Sequence, residues 1–168
     1  MPVFDFREHD IWPLDEWCGM TFARVYPDGE IPTSALPVGY IFVIEPSRRD
    51  PKYKMAAGHK QPGEDPLQTA QREFTGETGI LLPTARFEFA GKWDRKGPNG
   101  PYVDILFTAN LTKSEAAGMH SSHTENEGEQ PEFFTVENFR ASVMGGGFMR
   151  KHVDMLVECG LLAAREFA

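Results

Sequence analysis

Residues 58–80 read GHKQPGEDPLQTAQREFTGETGI, and the fold is decided by how this stretch is read. The first part is a Gly/Pro-rich loop, and the second is a helix with both ends marked. Asp65 is a favourable N-cap, Pro66 suits the first helical position because its missing amide would have no partner there, and Gln68 completes a capping box. Leu67, Ala70 and Phe74 recur at helical spacing and form a stripe fit for burial, and Gly79 is the natural stop. Glu73 and Glu77 stand four apart, neighbours on one face at the edge of that stripe. Between them lies Gly76, a residue type that weakens a helix interior by about 1 kcal/mol relative to Ala.

Strand-like runs surround this helix. The segment 20–31, MTFARVYPDGEI, reads as a strand, a Pro-Asp-Gly turn and a return. VGYIFVIEP at 38–46 is a β-branched and aromatic run ended by proline, the pattern of a central strand. A basic connection, SRRDPKYK, leads from it into the Gly/Pro loop MAAGHKQPGED. Two more strands are expected at 85–93 and 102–111, joined by a polar loop DRKGPNGP, and a last one at 131–136. The segment 137–168 reads as two helices broken at Gly145–Gly147; in the second, Met149, Val153, Leu156, Val157 and Leu161 share one face. Strands outnumber helices without strict alternation, so the class is α/β (α+β), expected as a single domain over 1–168.

The bulk properties limit the function classes. A chain of 168 residues supports one full core. A net charge of −8 argues against a nonspecific grip on nucleic acid or on an anionic membrane. Phosphate binding by so acidic a chain requires a local basic pocket or a divalent cation. Cys18 and Cys159 are the only cysteines, too few for a disulfide framework and far from CxxC spacing. The opening MPVFDFREHD has no apolar core of a signal peptide, and the run YIFVI at 40–44 is strand-sized, so a cytoplasmic location is expected.

Like charges four apart on a helix repel by a few tenths of a kcal/mol, so Glu73 and Glu77 beside a buried stripe call for a positive partner. A solvated acidic face is the simpler reading of any such pair. Against it stand Glu64 just before the helix, a glycine-rich loop whose carbonyls could reach an ion, and a later acidic cluster of Glu125, Glu127 and Glu129. Oxygen ligands of this kind suit a hard cation such as Mg²⁺, which keeps waters and substrate phosphates in its shell.

The whole segment resembles the signature of the Nudix hydrolase family: G, five residues, E, seven residues, then R-E-U-x-E-E-x-G-U, with U a bulky aliphatic residue, for which Phe74 is an acceptable bulky substitute. Gly58, Glu64, Arg72, Glu73, Phe74, Glu77, Gly79 and Ile80 occupy those positions. The resemblance departs from the pattern at Gly76, where the first glutamate of the pair belongs, and at the start of the loop, which reads Ala57-Gly58-His59. It implies an α/β/α sandwich around a mixed sheet. It also implies a Mg²⁺- or Mn²⁺-dependent hydrolase that cuts a phosphoanhydride in a nucleoside diphosphate linked to another moiety. Carried over, Glu77 is a metal ligand, Glu73 a ligand or base, and the Gly58 carbonyl a further ligand. Arg72 orients the glutamates and Glu64 buttresses the loop.

A carboxylate outside this segment often supplies a late ligand or base in the family. Glu127 is the first choice here, Glu125 the next, and Glu129 a surface charge. Phosphate could be met by Arg48, Arg49, Lys52, Lys54 or His59, and a base by Trp93 or Tyr102 beside the DRKGPNGP loop. His120 and His123 form no zinc pattern. The extended N-terminal segment and the last helix could build a homodimer. The alternative function, opened by Gly76, is a Nudix-like module that binds nucleotide or protein with most catalysis lost.

Overall fold

The computed structural model describes residues 16–29, 36–120 and 128–167. Its spine is strand β1 (Trp17–Tyr26), buried along nearly its whole length. One edge of β1 pairs in parallel with β5 (Gly100–Thr112), from Trp17 opposite Val103 to Tyr26 opposite Thr112. The other edge is shared between two partners. Its first half pairs antiparallel with β3 (Ala56–His59), Cys18 opposite His59, and its second half with β2 (Gly39–Ile44), Ala23 opposite Ile41. Strand β4 (Phe87–Gly97) lies antiparallel outside β5, and β6 (Gln130–Thr135) outside β2, which gives the order β4-β5-β1-β2-β6 with β3 beside β1.

Alternation along β1 builds two cores, since successive side chains point to opposite faces. Ala23 and Val25 join Ile41, Val43, Ile105 and Phe107 under helix α1 (Pro66–Thr78), which contributes Ala70 and Phe74, and under the short α2 (Lys113–Ala116). Met20 and Phe22 join Tyr40, Phe42, Met55 and Leu106 beneath α3 (Val136–Met144) and α4 (Arg150–Glu158). Phe42 is the centre of the second core, stacked on Phe139 at 5.0 Å and edge-on to Phe148 at 4.7 Å. Each such fully buried ring contributes about 1.5–3 kcal/mol through burial alone. The result is a mixed sheet between two helical layers, as the α/β/α reading expects.

The expected bounds of α1 agree with the structure. Asp65 accepts from the Gln68 amide, Gln68 returns the bond to the Asp65 amide, and Gly79 closes the helix at φ 74°. Two stretches differ from expectation. The loop read at 55–65 contains β3, and DRKGPNGP is mostly strand, since β4 and β5 pair through Gly97 opposite Gly100 and leave only Pro98 and Asn99 in the turn. No described helix is long and apolar enough to cross a membrane.

Candidate active site

The divided edge of β1 matters because it leaves the outer edge of β3 facing helix α1. Into that edge α1 sends the side chains of its last two turns. The Ala57 amide donates to Glu77 Oε2 at 3.0 Å, and the Gly58 Cα lies so close to the Glu73 carboxylate that an added Cβ would overlap it. A side chain at position 58 would displace the Glu73 carboxylate from this seat, a constraint on space rather than on backbone angle.

Arg72 fixes this arrangement. Its Nη1 donates to Glu73 Oε1 at 2.6 Å, its Nε to Glu64 Oε2 at 2.6 Å, and its Nη2 to the His59 carbonyl at 3.0 Å. Charge-assisted bonds of this length are the strong ones. Glu64 is in turn held by the Gln61 amide at 2.7 Å and the Thr69 hydroxyl at 3.0 Å, and Thr69 accepts from the Trp17 indole at 3.1 Å. The bond from Arg72 holds the Glu64 carboxyl below its ordinary range, and the bond to Glu64 raises the Arg72 guanidinium still further above its own. Glu64 is thus a strut of the loop, and Arg72 orients Glu73 directly while leaving Glu77 to the β3 amide.

Glu77 occupies the other extreme, with 1% of its surface exposed. Burial first, and the carboxylates of Glu129 and Glu73 second, push its carboxyl up to about 9, against the opposing pull of Lys54 and the Ala57 amide. Glu129 is itself 5% exposed, with Lys54 Nζ at 3.8 Å. The surface charge expected at Glu129 is instead a buried carboxylate whose field helps raise Glu77. Glu125 and Glu127 lie outside the described residues. The sequence carried a signal for Glu129 that is easy to overlook. Two-residue alternation back from Phe133, which packs on the α1 core, through Pro131 leads to position 129.

Glu73, Glu77 and Glu129 offer carboxylate oxygens, the donor type a hard divalent cation takes, and Arg72 and Lys54 are the cations paired with Glu73 and Glu129. Among the described residues no three His, Cys, Asp or Glu side chains stand in a metal-holding group. Gly76 sits on the same turn, and beyond its chain neighbours and the helix's own backbone nothing lies within 4 Å of the position a Cβ would take. Nothing in the packing demands glycine there.

The remaining sequence candidates fall into two groups flanking β3. Arg48, bonded to Glu45 at 2.5 Å, lines a small cleft of about 60 Å³ with Lys52, Lys54 and Met149, while Arg49 is exposed. On the other flank, His59 and Tyr102 meet ring to ring at 5.5 Å and line a larger cleft of about 590 Å³. Trp93 does not line that cleft, and its indole donates to Glu158 at 2.6 Å.

Residues 38–154 match the family model for the NUDIX domain. No curated protein matches the sequence. Among solved structures, the chain resembles a NUDIX hydrolase from Nitrosomonas europaea at TM-score 0.55 and 20% identity, covering 86% of each chain. It also resembles the NUDIX domain of Shewanella oneidensis NrtR complexed with ADP ribose, at TM-score 0.61 and 13% identity, over 86% of this chain and 85% of that one. A third likeness is to a bifunctional NMN adenylyltransferase/ADP ribose pyrophosphatase from Francisella tularensis, complexed with AMP and a Mn ion. There the TM-score is 0.55 and the identity 13%, over 86% of this chain and 42% of that one. At these identities the structures speak to the fold, and the family model covers well over half of the sequence: the chain belongs to the Nudix family.

Proposed function

We propose that this chain, a Nudix-type pyrophosphohydrolase acting on acid anhydrides, uses a divalent cation to cleave a phosphoanhydride in a nucleoside diphosphate linked to another moiety. The substrate would be of nucleoside triphosphate, ADP-ribose or nucleotide-sugar type. The observation that carries the reading is the seating of two signature glutamates at β3: Arg72 locks Glu73, and Glu77, its carboxyl raised by burial and in part by Glu129 and Glu73, accepts from the Ala57 amide. A bound Mg²⁺ or Mn²⁺ would neutralise phosphate charge and lower the pKa of a coordinated water. Glu73, Glu77 and Glu129 would hold it, with the Gly58 carbonyl as a further ligand.

The chain's own residues do the rest. Arg72 keeps the Glu73 carboxylate in one orientation, placed either to hold the cation or to take a proton from an attacking water. The Ala57 amide orients Glu77. Lys54 and its neighbours Arg48 and Lys52 place positive charge beside the carboxylates, where the phosphates of a bound nucleotide would need it. The structures of NrtR with ADP ribose and of the Francisella enzyme with AMP and Mn support a nucleotide ligand by analogy.

A second reading rests on Gly76: a nucleotide-binding module with catalysis largely lost, because one carboxylate of the family pattern is missing. Product release from a panel of nucleoside triphosphates, ADP-ribose, nucleotide sugars and dinucleoside polyphosphates separates the two. Turnover with Mg²⁺ or Mn²⁺ that stops on chelation is expected. Binding without turnover on every substrate would leave the module reading.

A further inference from the structure

We propose that the cleft of about 590 Å³ on the far flank of β3 seats the nucleoside half of the substrate, against a wall made by Tyr102 and His59. The proposal rests on the hydrolase reading for the position of the phosphates, and on four observations for the cleft itself. The first is continuity. His59 follows Gly58 on β3, and the Arg72 guanidinium that holds Glu73 also donates to the His59 carbonyl at 3.0 Å. The carboxylates and the cleft wall are therefore tied to adjacent residues of one strand through Arg72.

The second observation is size. A volume of about 590 Å³ falls within the range of sites that enclose small organic ligands, and a lone phosphate would leave most of it to water. The third is chemistry. The lining combines two aromatic rings, His59 and Tyr102, with a cation at Lys96, a carboxylate at Glu16 and an amide at Asn99. Aromatic surface with donors and acceptors of both signs matches a heterocyclic base and its sugar. Glu16 disfavours a second phosphate in the same place.

The fourth observation is that the wall is braced from behind. Lys151 Nζ lies 5.9 Å from the centre of the Tyr102 ring and 2.9 Å from Asp104 Oδ2, which also accepts from Arg95 Nε at 2.9 Å. Asp104 is 1% exposed, and a buried carboxylate bridging a strand and a helix is costly unless its geometry is well satisfied. The phosphate-site residues do not use this ion cluster. Its evident consequence is to hold α4, β4 and Tyr102 in one fixed relation.

The test is calorimetric titration of the full chain, metal-free, with AMP, GMP, CMP, UMP and ribose 5-phosphate, which shares their phosphate and sugar and lacks a base. At least one nucleotide is expected to bind about tenfold or more tighter than ribose 5-phosphate, the gain typical of a base against an aromatic side chain. Tyr102→Ala and His59→Ala should each shrink that ratio. His59 is exposed at the strand end, so its variant keeps the test open if Tyr102→Ala does not fold. Equal binding of all five ligands, or an undiminished ratio in a folded variant, would overturn the proposal. Because no turnover is measured, failure here is distinct from failure of the hydrolase reading, and absence of hydrolysis would leave this result standing.

Discussion

Gly76 can be replaced in two steps that separate its effect on the helix from its effect on the site. The structure leaves open space around its Cβ position, and its backbone lies within α1. Gly76→Ala should therefore raise stability by about 1 kcal/mol, the ordinary difference between these residues inside a helix. Gly76→Glu has nearly the same helix propensity, but its charge falls three residues from Glu73, a repulsion of a few tenths of a kcal/mol. In metal-free buffer the order should be Ala above Glu above Gly.

A divalent cation should invert the first two. A ligand that binds only the folded state stabilises it in proportion to the logarithm of its affinity, so a site tightened tenfold gains about 1.4 kcal/mol at saturation. Urea denaturation of the three proteins, with chelator and with saturating Mn²⁺, reads both effects. A destabilised Gly76→Ala would refute the open geometry at position 76. A Gly76→Glu variant gaining no more from Mn²⁺ than Gly76→Ala would refute the placement of a metal beside Glu73 and Glu77.

Two further outcomes are expected. Gly58→Ala would push a Cβ into the Glu73 carboxylate, so turnover should fall on the order of a hundredfold, the scale of an ångström-sized misplacement, with circular dichroism unchanged; undiminished turnover would show that Glu73 does not need its seat. His152 is buried, accepts from the Met55 amide at 2.9 Å and, through burial and then the nearby Lys151 and Lys54, is held down at about 4. The folded state thus binds fewer protons than the unfolded one between about pH 4 and 6.5, so stability is full above that window and falls by up to about 3 kcal/mol as pH drops through it. Denaturation midpoints from pH 4 to 7 should slope less in His152→Gln, and parallel slopes would count against the assignment.

What the sequence disclosed depended on how local each signal is. The bounds of α1 were legible because Asp65, Pro66, Gln68 and Gly79 act within a few residues of themselves. The runs around Tyr40–Ile44 and Tyr102–Leu111 read as strands because β-branched and aromatic side chains suit a pleated, buried surface. Strand β3 was invisible, since Ala-Ala-Gly-His has no such preference and becomes a strand only by pairing with Cys18–Thr21 far along the chain. The length of the β4–β5 hairpin was hidden for a similar reason: polar Arg95 sits in a strand because Asp104 and Tyr102 wait across from it. At the candidate site, Arg72, Glu73 and Glu77 stood out by spacing. Glu129 did not: its alternation with Phe133 is a faint signal, and Lys54, the cation beside it, is remote in sequence.

The central claim is that Glu73, Glu77 and Glu129 form one divalent-cation site. Its most direct measurement is titration of Mn²⁺ into the substrate-free chain, followed by the loss of the free-ion electron paramagnetic resonance signal, for wild type, Glu77→Gln and Glu129→Gln. Wild type should bind saturably and each variant at least about tenfold more weakly, since each removes a charged oxygen ligand. Wild-type protein that leaves the Mn²⁺ signal untouched, or variants that bind as wild type does, would contradict it.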